Sequence, residues 1–156
     1  MSKEWISEAG FKSLEDERNQ LYKVERPQVV QQVADAAAEG DRSENAEYIY
    51  GKKKLRDIDR RLKYLSGRME RLEVQSAPRQ SEQIVFLSIV EVENLDTDEV
   101  KTFQIVGPDE SDVKAGKISY LSPIGRAVMG KGVDDDFEFD TPGGRRTYCV
   151  NRISCP

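Results

Sequence analysis

Carboxylates are the side chains best suited to chemistry in this 156-residue chain, because it contains no histidine. They are most concentrated over residues 35–47, where a single base accompanies five acids: Asp35, Glu39, Asp41, Glu44 and Glu47. Two carboxylates at one end of a rigid element cannot enclose magnesium, which requires about six oxygen ligands, but they can complete a site held partly elsewhere. Asp41 and Glu44 also have the spacing of a helix capping box. Spacing alone leaves both interpretations open.

Several other kinds of chemistry have no support in the sequence. Without histidine, nucleophilic triads and histidine-ligated zinc hydrolase sites are excluded. No GxxxxGK[ST] loop is present to bind nucleotide phosphates. The two cysteines, Cys149 and Cys155, are too few for a disulfide framework or a four-ligand zinc site. We expect both to be free thiols in a reducing cytoplasm.

The hydrophobic pattern indicates a cytoplasmic protein without a membrane partner. The N-terminal sequence MSKEWISEAG has no apolar core of the kind that signal peptides need. The longest hydrophobic stretch, residues 84–90, is far shorter than the roughly 20 residues that cross a bilayer as a helix.

Charge is distributed unevenly along the chain, whose formal net charge is −5. Residues 51–71 contain nine basic and three acidic residues, a balance of +6. Residues 82–140 contain fourteen acidic and five basic residues, a balance of −9. A partner could therefore meet either a basic stem or an acidic body.

The acidic cluster follows a segment with the pattern of a helix. Ser7 and Glu8 form a typical helix start, and apolar residues recur at helical spacing to about residue 38. These residues are Phe11, Leu14, Leu21, Val30, Val33 and Ala37. Pro27 interrupts the pattern, because a proline inside a helix costs roughly 3 kcal/mol. The sequence predicts either a kink there or a second helical segment with Pro27 in its first turn.

A second helix, with a clearer period, follows the acidic cluster. Its apolar residues alternate spacings of three and four, the pattern of a coiled coil. They are Tyr48, Gly51, Leu55, Ile58, Leu62, Leu65, Met69 and Leu72. The connection EGDRSE is too short for anything but an antiparallel reversal. We therefore predict a hairpin with arms roughly 45 Å long, an acidic tip at 39–47, and Tyr48 as a packing residue.

The C-terminal half has the pattern of a small antiparallel sheet with one short helix. The polar sequence QSAPRQSEQ ends the helical periodicity at Pro78. Five segments rich in β-branched and aromatic residues follow: IVFLSIVEVEN, VKTFQIVG, GKISYL, DDFEFDT and RRTYCVNRIS. One short helix interrupts them, with Ser122 as its cap, Pro123 in its first turn and Gly130 at its end. We predict an α+β protein with a hairpin domain (1–76), a linker (77–81) and a sheet domain (82–156).

The tip and the helix after it carry a family resemblance. The sequence GDRSENAEYIYGKKKLRDIDRRL resembles the hairpin signature of the Gre transcript-cleavage factors. Arg42 and the basic run are typical of the GreB-like branch, since GreA-like chains usually carry leucine at this position. IVGPDE, ISYLSPIGRAVMGK and TPGG are similar to the family's C-terminal domain, which implies an FKBP-like fold. One departure is Val-Asp-Asp-Asp at 133–136, where the family commonly has a Val-Gly-Asp turn.

The resemblance implies a function that the residues alone do not. The family's two essential tip acids fall on Asp41 and Glu44. In the family, the hairpin enters the secondary channel of a backtracked bacterial RNA polymerase. There the two carboxylates would share a Mg²⁺ ion with the polymerase, orient the attacking water and stimulate cleavage of the extruded RNA 3′ end. The chain would then be a monomeric factor with no enzymatic activity or cofactor of its own.

The resemblance also implies two binding surfaces. The basic run would contact the extruded RNA, with five candidates: Lys52, Lys53, Arg56, Arg60 and Arg61. The alternative is that these residues form an ordinary solvated helix face without a binding role. The region of the short helix would dock on a coiled coil of the polymerase's largest subunit at the channel rim, through Ser122, Pro123, Ile124 and Arg126. Its alternative is an ordinary capped helix that packs on a sheet.

Two other functions compete with transcript cleavage. One is a Gre-like regulator that occupies the secondary channel without promoting cleavage, against which the presence of Asp41 and Glu44 argues. The other is a coiled-coil adaptor unrelated to transcription, which the composition permits. In that case the tip motif would be a coincidence.

Overall fold

The computed structural model describes residues 3–40 and 44–156, and the chain divides into two compact units. The first unit is Phe11–Leu72, and the second is Glu73–Pro156 together with the residues up to Gly10. The first unit is helical, and the second contains a five-stranded sheet. The predicted α+β class is therefore confirmed. Among the helices of the described ranges, none has an apolar stretch that could span a lipid bilayer.

The bounds of these units differ from the predicted domains at two places. The chain near the N-terminus joins the second unit because the Trp5 ring stacks on Phe86 and Tyr120, with ring centroids 5.6 and 4.8 Å apart. The predicted linker, 77–81, also lies inside that unit. Its first residue, Ala77, packs against a buried apolar cluster that includes Phe86.

The first unit is a helical hairpin in which one arm changes its winding at the proline. Its elements are α1 (Glu8–Asn19) from Phe11 onward, a π-helical segment (Gln20–Glu25), α2 (Arg26–Ala38) and α3 (Ala46–Glu70). Ser7 caps α1 as predicted, since its Oγ accepts the Gly10 N–H at 3.0 Å. Pro27 lies in the first turn of α2, which confirms the second predicted alternative. The π-helical winding before Pro27 was not predicted.

The apolar stripe of α3 packs as its period indicates. Gly51, Ile58 and Leu65 are buried, and the apolar residues between them, Leu55 and Leu62, are half-buried. The opposing arm buries Val29 and Ala36. The arms are antiparallel, because residues earlier in the first arm contact residues later in α3. The packing role predicted for Tyr48 agrees with its half-buried position.

Gly51 allows the two arms to approach closely near the tip. A Cβ atom at this position would lie 2.7 Å from Cγ2 of Val33, a stiff β-branched side chain, whereas one at Gly67 of the same helix would meet nothing within 4 Å. Gly67→Ala is expected to stabilise the hairpin by about 1 kcal/mol through helix propensity. Gly51→Ala should lose that gain, because overpacking costs about 1–3 kcal/mol. Urea unfolding followed by circular dichroism measures both, and equal gains would show that Gly51 is not a packing requirement.

The second unit is built on a five-stranded sheet in the order β5-β4-β3-β7-β6. Its strands are β3 (Ile89–Asn94), β4 (Val100–Val106), β5 (Lys117–Ser119), β6 (Asp136–Thr141) and β7 (Gly144–Ser154). The short helix α4 (Pro123–Val128) contributes to the core, and β1 (Glu4–Ile6) pairs with β2 (Leu72–Val74) in a separate sheet. The core contains Ile84, Val90, Val92, Phe103, Ile105, Val128, Phe137, Tyr148 and Val150.

Two features of this sheet correct the prediction. The sheet is not wholly antiparallel, because β4 and β5 are parallel. Two 3₁₀ turns, Pro108–Glu110 and Val113–Ala115, carry the chain back so that β5 runs in the same direction as β4. The strand predicted within residues 84–94 begins only at Ile89.

The departure from the family pattern at 133–136 is accommodated by an unusual backbone. Asp134 has a φ of 71°, in the left-handed region that glycine adopts most easily. The turn still forms, since the Asp134 N–H donates to the Val150 carbonyl at 2.8 Å. Aspartate is one of the few other residues that tolerate this conformation.

Candidate functional site

Asn45 joins the two arms at the hairpin tip. Its Oδ1 caps α3 by accepting the Tyr48 N–H at 3.1 Å, and its Nδ2 donates to the Ala36 carbonyl at 2.8 Å. One side chain thus satisfies an unpaired donor at the start of α3 and a carbonyl near the end of α2. This corrects the predicted capping box: Glu44 precedes the cap instead of occupying the third position of the helix.

Glu44 lies on the surface just outside α3. Its side chain is exposed, and it has no hydrogen-bond or ion-pair partner within residues 3–40 and 44–156. The other predicted tip acid, Asp41, lies outside the described residues. Glu47 is exposed in the first turn of α3, where its negative charge is favourable to the helix dipole. Since Asn45 performs the capping, no described contact gives the Glu44 carboxylate a structural role.

The donor set at the tip suits a magnesium ion shared with a partner better than one bound by this chain alone. An exposed carboxylate provides the oxygen ligands that magnesium prefers. In the described part of the chain, no three His, Cys, Asp or Glu side chains are grouped closely enough to hold a metal ion. Glu44 alone could supply only part of the ligands of such an ion.

The basic residues of α3 do not form a single surface. Each residue turns about 100° around an α-helix, so Lys53 lies opposite the buried stripe while Lys52 and Arg56 lie together on one flank. All three are exposed and have no ion-pair partner among the described residues. These three candidates therefore carry charge that no carboxylate of the described residues compensates.

The other two candidates for RNA contact already have carboxylate partners. Arg60 donates to Asp57 of its own helix at 3.2 Å. Arg61 forms a bidentate ion pair with Glu17 of the opposite arm, in which its Nε and Nη2 donate to the carboxylate oxygens at 2.6 and 2.9 Å. Because Arg61 follows the buried Ile58 by three positions, it lies on the flank opposite to Lys52. These contacts make Arg61 a stem residue that holds the arms together.

A second ion pair joins the two arms on the other side of the apolar stripe of α3. Arg26 donates to Asp59 at 2.7 and 3.3 Å, and Asp59 is only two positions from Arg61. Residues two apart point to nearly opposite sides of a helix, so the two pairs lie on either side of the apolar stripe. Hydrogen bonds from Arg61 and Arg26 hold the pKa values of Glu17 and Asp59 below their ordinary range.

The lowered pKa of Glu17 makes a prediction about pH. A carboxyl with a lowered folded-state pKa adds stability above its unfolded pKa, and that stability is lost as the pH falls through the folded value. Glu17→Gln should therefore cost at most about 1 kcal/mol at pH 7, since the pair is solvent-screened, and less at pH 3. Glu15→Gln is the matched control on the same helix. Thermal melts of the helical signal at both pH values measure this, and a cost that is the same at both would rule out an ionic origin.

The predicted docking residues divide into two kinds. Ser122 caps α4, since its Oγ accepts the Gly125 N–H at 3.1 Å and donates to the Ser119 carbonyl at 2.6 Å. Ile124 is half-buried and packs against the core. Pro123 and Arg126 are exposed. The first two therefore have a structural role, and the last two are available to a partner.

The sequence did not lead to the roles of Asn45 or of the two ion pairs between the arms. The preference of asparagine for N-caps is a signal that could have identified Asn45. The partners of Arg26 and Arg61 could not be chosen without the register between the arms.

Comparisons with known proteins cover both units. Residues 4–74 match the family model "Transcription elongation factor, N-terminal", and residues 79–154 match "Transcription elongation factor, GreA/GreB, C-term". GreB of Haemophilus ducreyi is 47% identical over 96% of this chain and 92% of its own length. GreB of Yersinia pestis is 48% identical over 96% and 87%. Gfh1 of Thermus aquaticus, a solved structure, is 25% identical, covers 99% of both chains and has a TM-score of 0.45. From the two family models and the GreB relatives, this chain belongs to the GreA/GreB family of transcription elongation factors.

Proposed function

We propose that this chain enters the secondary channel of a backtracked bacterial RNA polymerase and stimulates the polymerase's own cleavage of the nascent RNA 3′ end. Cleavage would rescue arrested complexes. The observation that carries the proposal is an exposed Glu44, in the DRSENA motif, at the turn of a hairpin stapled by two ion pairs between its arms. The chain acts in the cytoplasm as a monomer and is not an enzyme on its own.

The reaction is hydrolysis of a phosphodiester bond. A water oxygen bonds to phosphorus while the bond to the preceding 3′ oxygen breaks, and that oxygen leaves as a hydroxyl after gaining a proton. Asp41 and Glu44 would hold part of a magnesium ion shared with the polymerase and would orient the attacking water. When bound, that ion would supply charge stabilisation and a lower pKa for the water. The released fragment carries the 5′ phosphate, and the new RNA 3′ end lies in register.

Other surfaces of the chain bind the complex. The uncompensated basic residues Lys52, Lys53 and Arg56 attract the phosphates of the extruded RNA. The exposed Pro123 and Arg126 contact the largest-subunit coiled coil at the channel rim. The stem pairs, including Glu17 with Arg61, keep the hairpin stiff enough to carry the tip acids to the active site.

The test is to add the purified chain to polymerase complexes stalled by backtracking, with the RNA labelled at either end. The proposal predicts shortened 5′-labelled RNA, short released 3′-labelled fragments and resumed elongation when nucleotides are added. The main alternative is a regulator that occupies the channel without promoting cleavage. It predicts that the chain displaces a known cleavage factor while the RNA keeps its length.

A further inference from the structure

Tyr50 is an aromatic residue near the tip that has no role in the fold. Its side chain is 69% exposed, the largest value among the exposed apolar and aromatic side chains of α3. Within residues 3–40 and 44–156 it has no hydrogen bond or ring contact. Tyr48, two positions earlier, is half-buried on the packing stripe. The fold therefore packs one of these tyrosines, while the other is mostly exposed and has no ring contact among the described residues.

The neighbours of Tyr50 on the helix are basic. Residues three and four positions apart lie next to each other on a helix, which places Lys53 and Lys54 one turn beyond the Tyr50 ring. Both lysines are exposed, and neither has an ion-pair partner among the described residues. Tyr50 itself lies about 6 Å along the axis from Ala46, the first residue of α3.

A second exposed tyrosine lies on the same side of the helix. Tyr64 follows Tyr50 by two heptads, so the two rings share one face about 21 Å apart. Tyr64 is 49% exposed, and the Arg61 guanidinium lies over its ring at 5.1 Å from the centroid. One face of Tyr64 is therefore covered by a side chain that Glu17 holds in place. No cation of the part of the chain that the structure describes lies over the Tyr50 ring in this way.

We propose that Tyr50 is a stacking platform for a base of the extruded RNA, whose phosphates lie along Lys53 and Lys54. The inference rests on the proposed function. Proteins that bind single strands combine basic residues that follow the backbone with aromatic rings that stack on the bases. An exposed ring one turn from two unpaired lysines has both parts. Because every base has a flat face, the contact tolerates any RNA sequence.

Charge favours RNA as the occupant, because the lysines beside Tyr50 complement a chain of phosphates. The ring would hold the RNA laterally while the tip acids act on its phosphodiester bond. Tyr50 is thus a positioning residue for substrate RNA.

The test uses Tyr50→Leu, which keeps apolar bulk and removes the flat ring, beside Tyr50→Phe, which keeps the ring. Tyr22→Leu is the matched control, since Tyr22 is 63% exposed on the other arm. The readout is the factor concentration that gives half-maximal cleavage in backtracked complexes. Tyr50→Leu should raise it about 5- to 100-fold, and both Tyr50→Phe and Tyr22→Leu should leave it within about twofold.

Abasic nucleotides placed one at a time along the extruded RNA identify the occupant. At one position the abasic RNA should weaken the parent chain and have no further effect on Tyr50→Leu, because the two changes remove the same contact. If Tyr50→Leu loses as much with every abasic RNA as with intact RNA, the ring contacts the polymerase and the inference is wrong. If the parent cleaves and Tyr50→Leu cleaves equally well, only the stacking inference fails. If the parent itself does not cleave, the proposed function fails with it.

Discussion

Glu44→Gln is expected to remove most of the cleavage stimulation, by at least about tenfold, while the chain still competes with the parent for polymerase. Glutamine keeps the shape of the side chain but lacks the charge that a magnesium ligand provides. Loss of groups that support a bound metal typically costs 10- to 100-fold, and loss of a ligand should cost no less. Asp41→Asn should behave in the same way. Excess magnesium should restore part of the activity, since mass action offsets weaker binding.

The fold gives this experiment a clear control. Asn45, not Glu44, caps α3, so Glu44→Gln should leave the hairpin folded. Glu47→Gln removes an equal charge from an exposed position in the first turn of α3 and should keep nearly full activity. If Glu44→Gln and Asp41→Asn both stimulate cleavage like the parent, the tip acids are not ligands and the mechanism is abandoned.

Replacing Lys52, Lys53 and Arg56 together with alanine should weaken cleavage mainly in complexes with long extruded RNA, because these present the most phosphates. Each phosphate contact to a single strand contributes about 0.7 to the slope of log affinity against log salt. Loss of three contacts should therefore reduce that slope by about 2. Salt should mimic the substitutions, since it screens the same attraction.

A charge-matched variant separates a local effect from the change in net charge. Lys101, Lys114 and Lys117 are exposed on the second unit, and their replacement by alanine removes the same charge from residues that are not part of the hairpin. This control should retain the parent's preference for long extruded RNA. If the α3 variant cleaves long-backtracked complexes like the parent at every salt concentration, the basic residues form only a solvated face.

The hairpin was predictable because its packing repeats along the chain. The stripe that contains Gly51, Ile58 and Leu65 has a period that few other structures share, and all three are buried. The π-helical winding before Pro27 was not predictable, because proline excludes a regular helix without choosing between a kink and a wider turn. The parallel pairing of β4 and β5 was missed because strand direction depends on the path of the connecting turns.

The part of the candidate site that sequence motifs specify was predictable. The part that depends on the register between the two arms was not. The resemblance provided Glu44 and the basic run, but the spacing of Asp41 and Glu44 indicated a capping box that α3 does not use, because Asn45 also has favourable capping chemistry. The pairing of Arg61 with Glu17 requires knowing which turns of the two arms face each other. The register between the arms distinguishes basic residues that pair with the opposite arm from basic residues that remain available to a partner.

The magnesium dependence of transcript cleavage in arrested complexes tests the central claim most directly. Complexes saturated with the parent chain are compared with complexes saturated with Glu44→Gln, and the magnesium concentration for half-maximal cleavage is measured for each. If the tip acids complete a shared ion site, the parent should reach half-maximal cleavage at a concentration at least about tenfold lower than the variant. Equal midpoints for the two chains would contradict the account, because Glu44 would then contribute nothing to binding the ion.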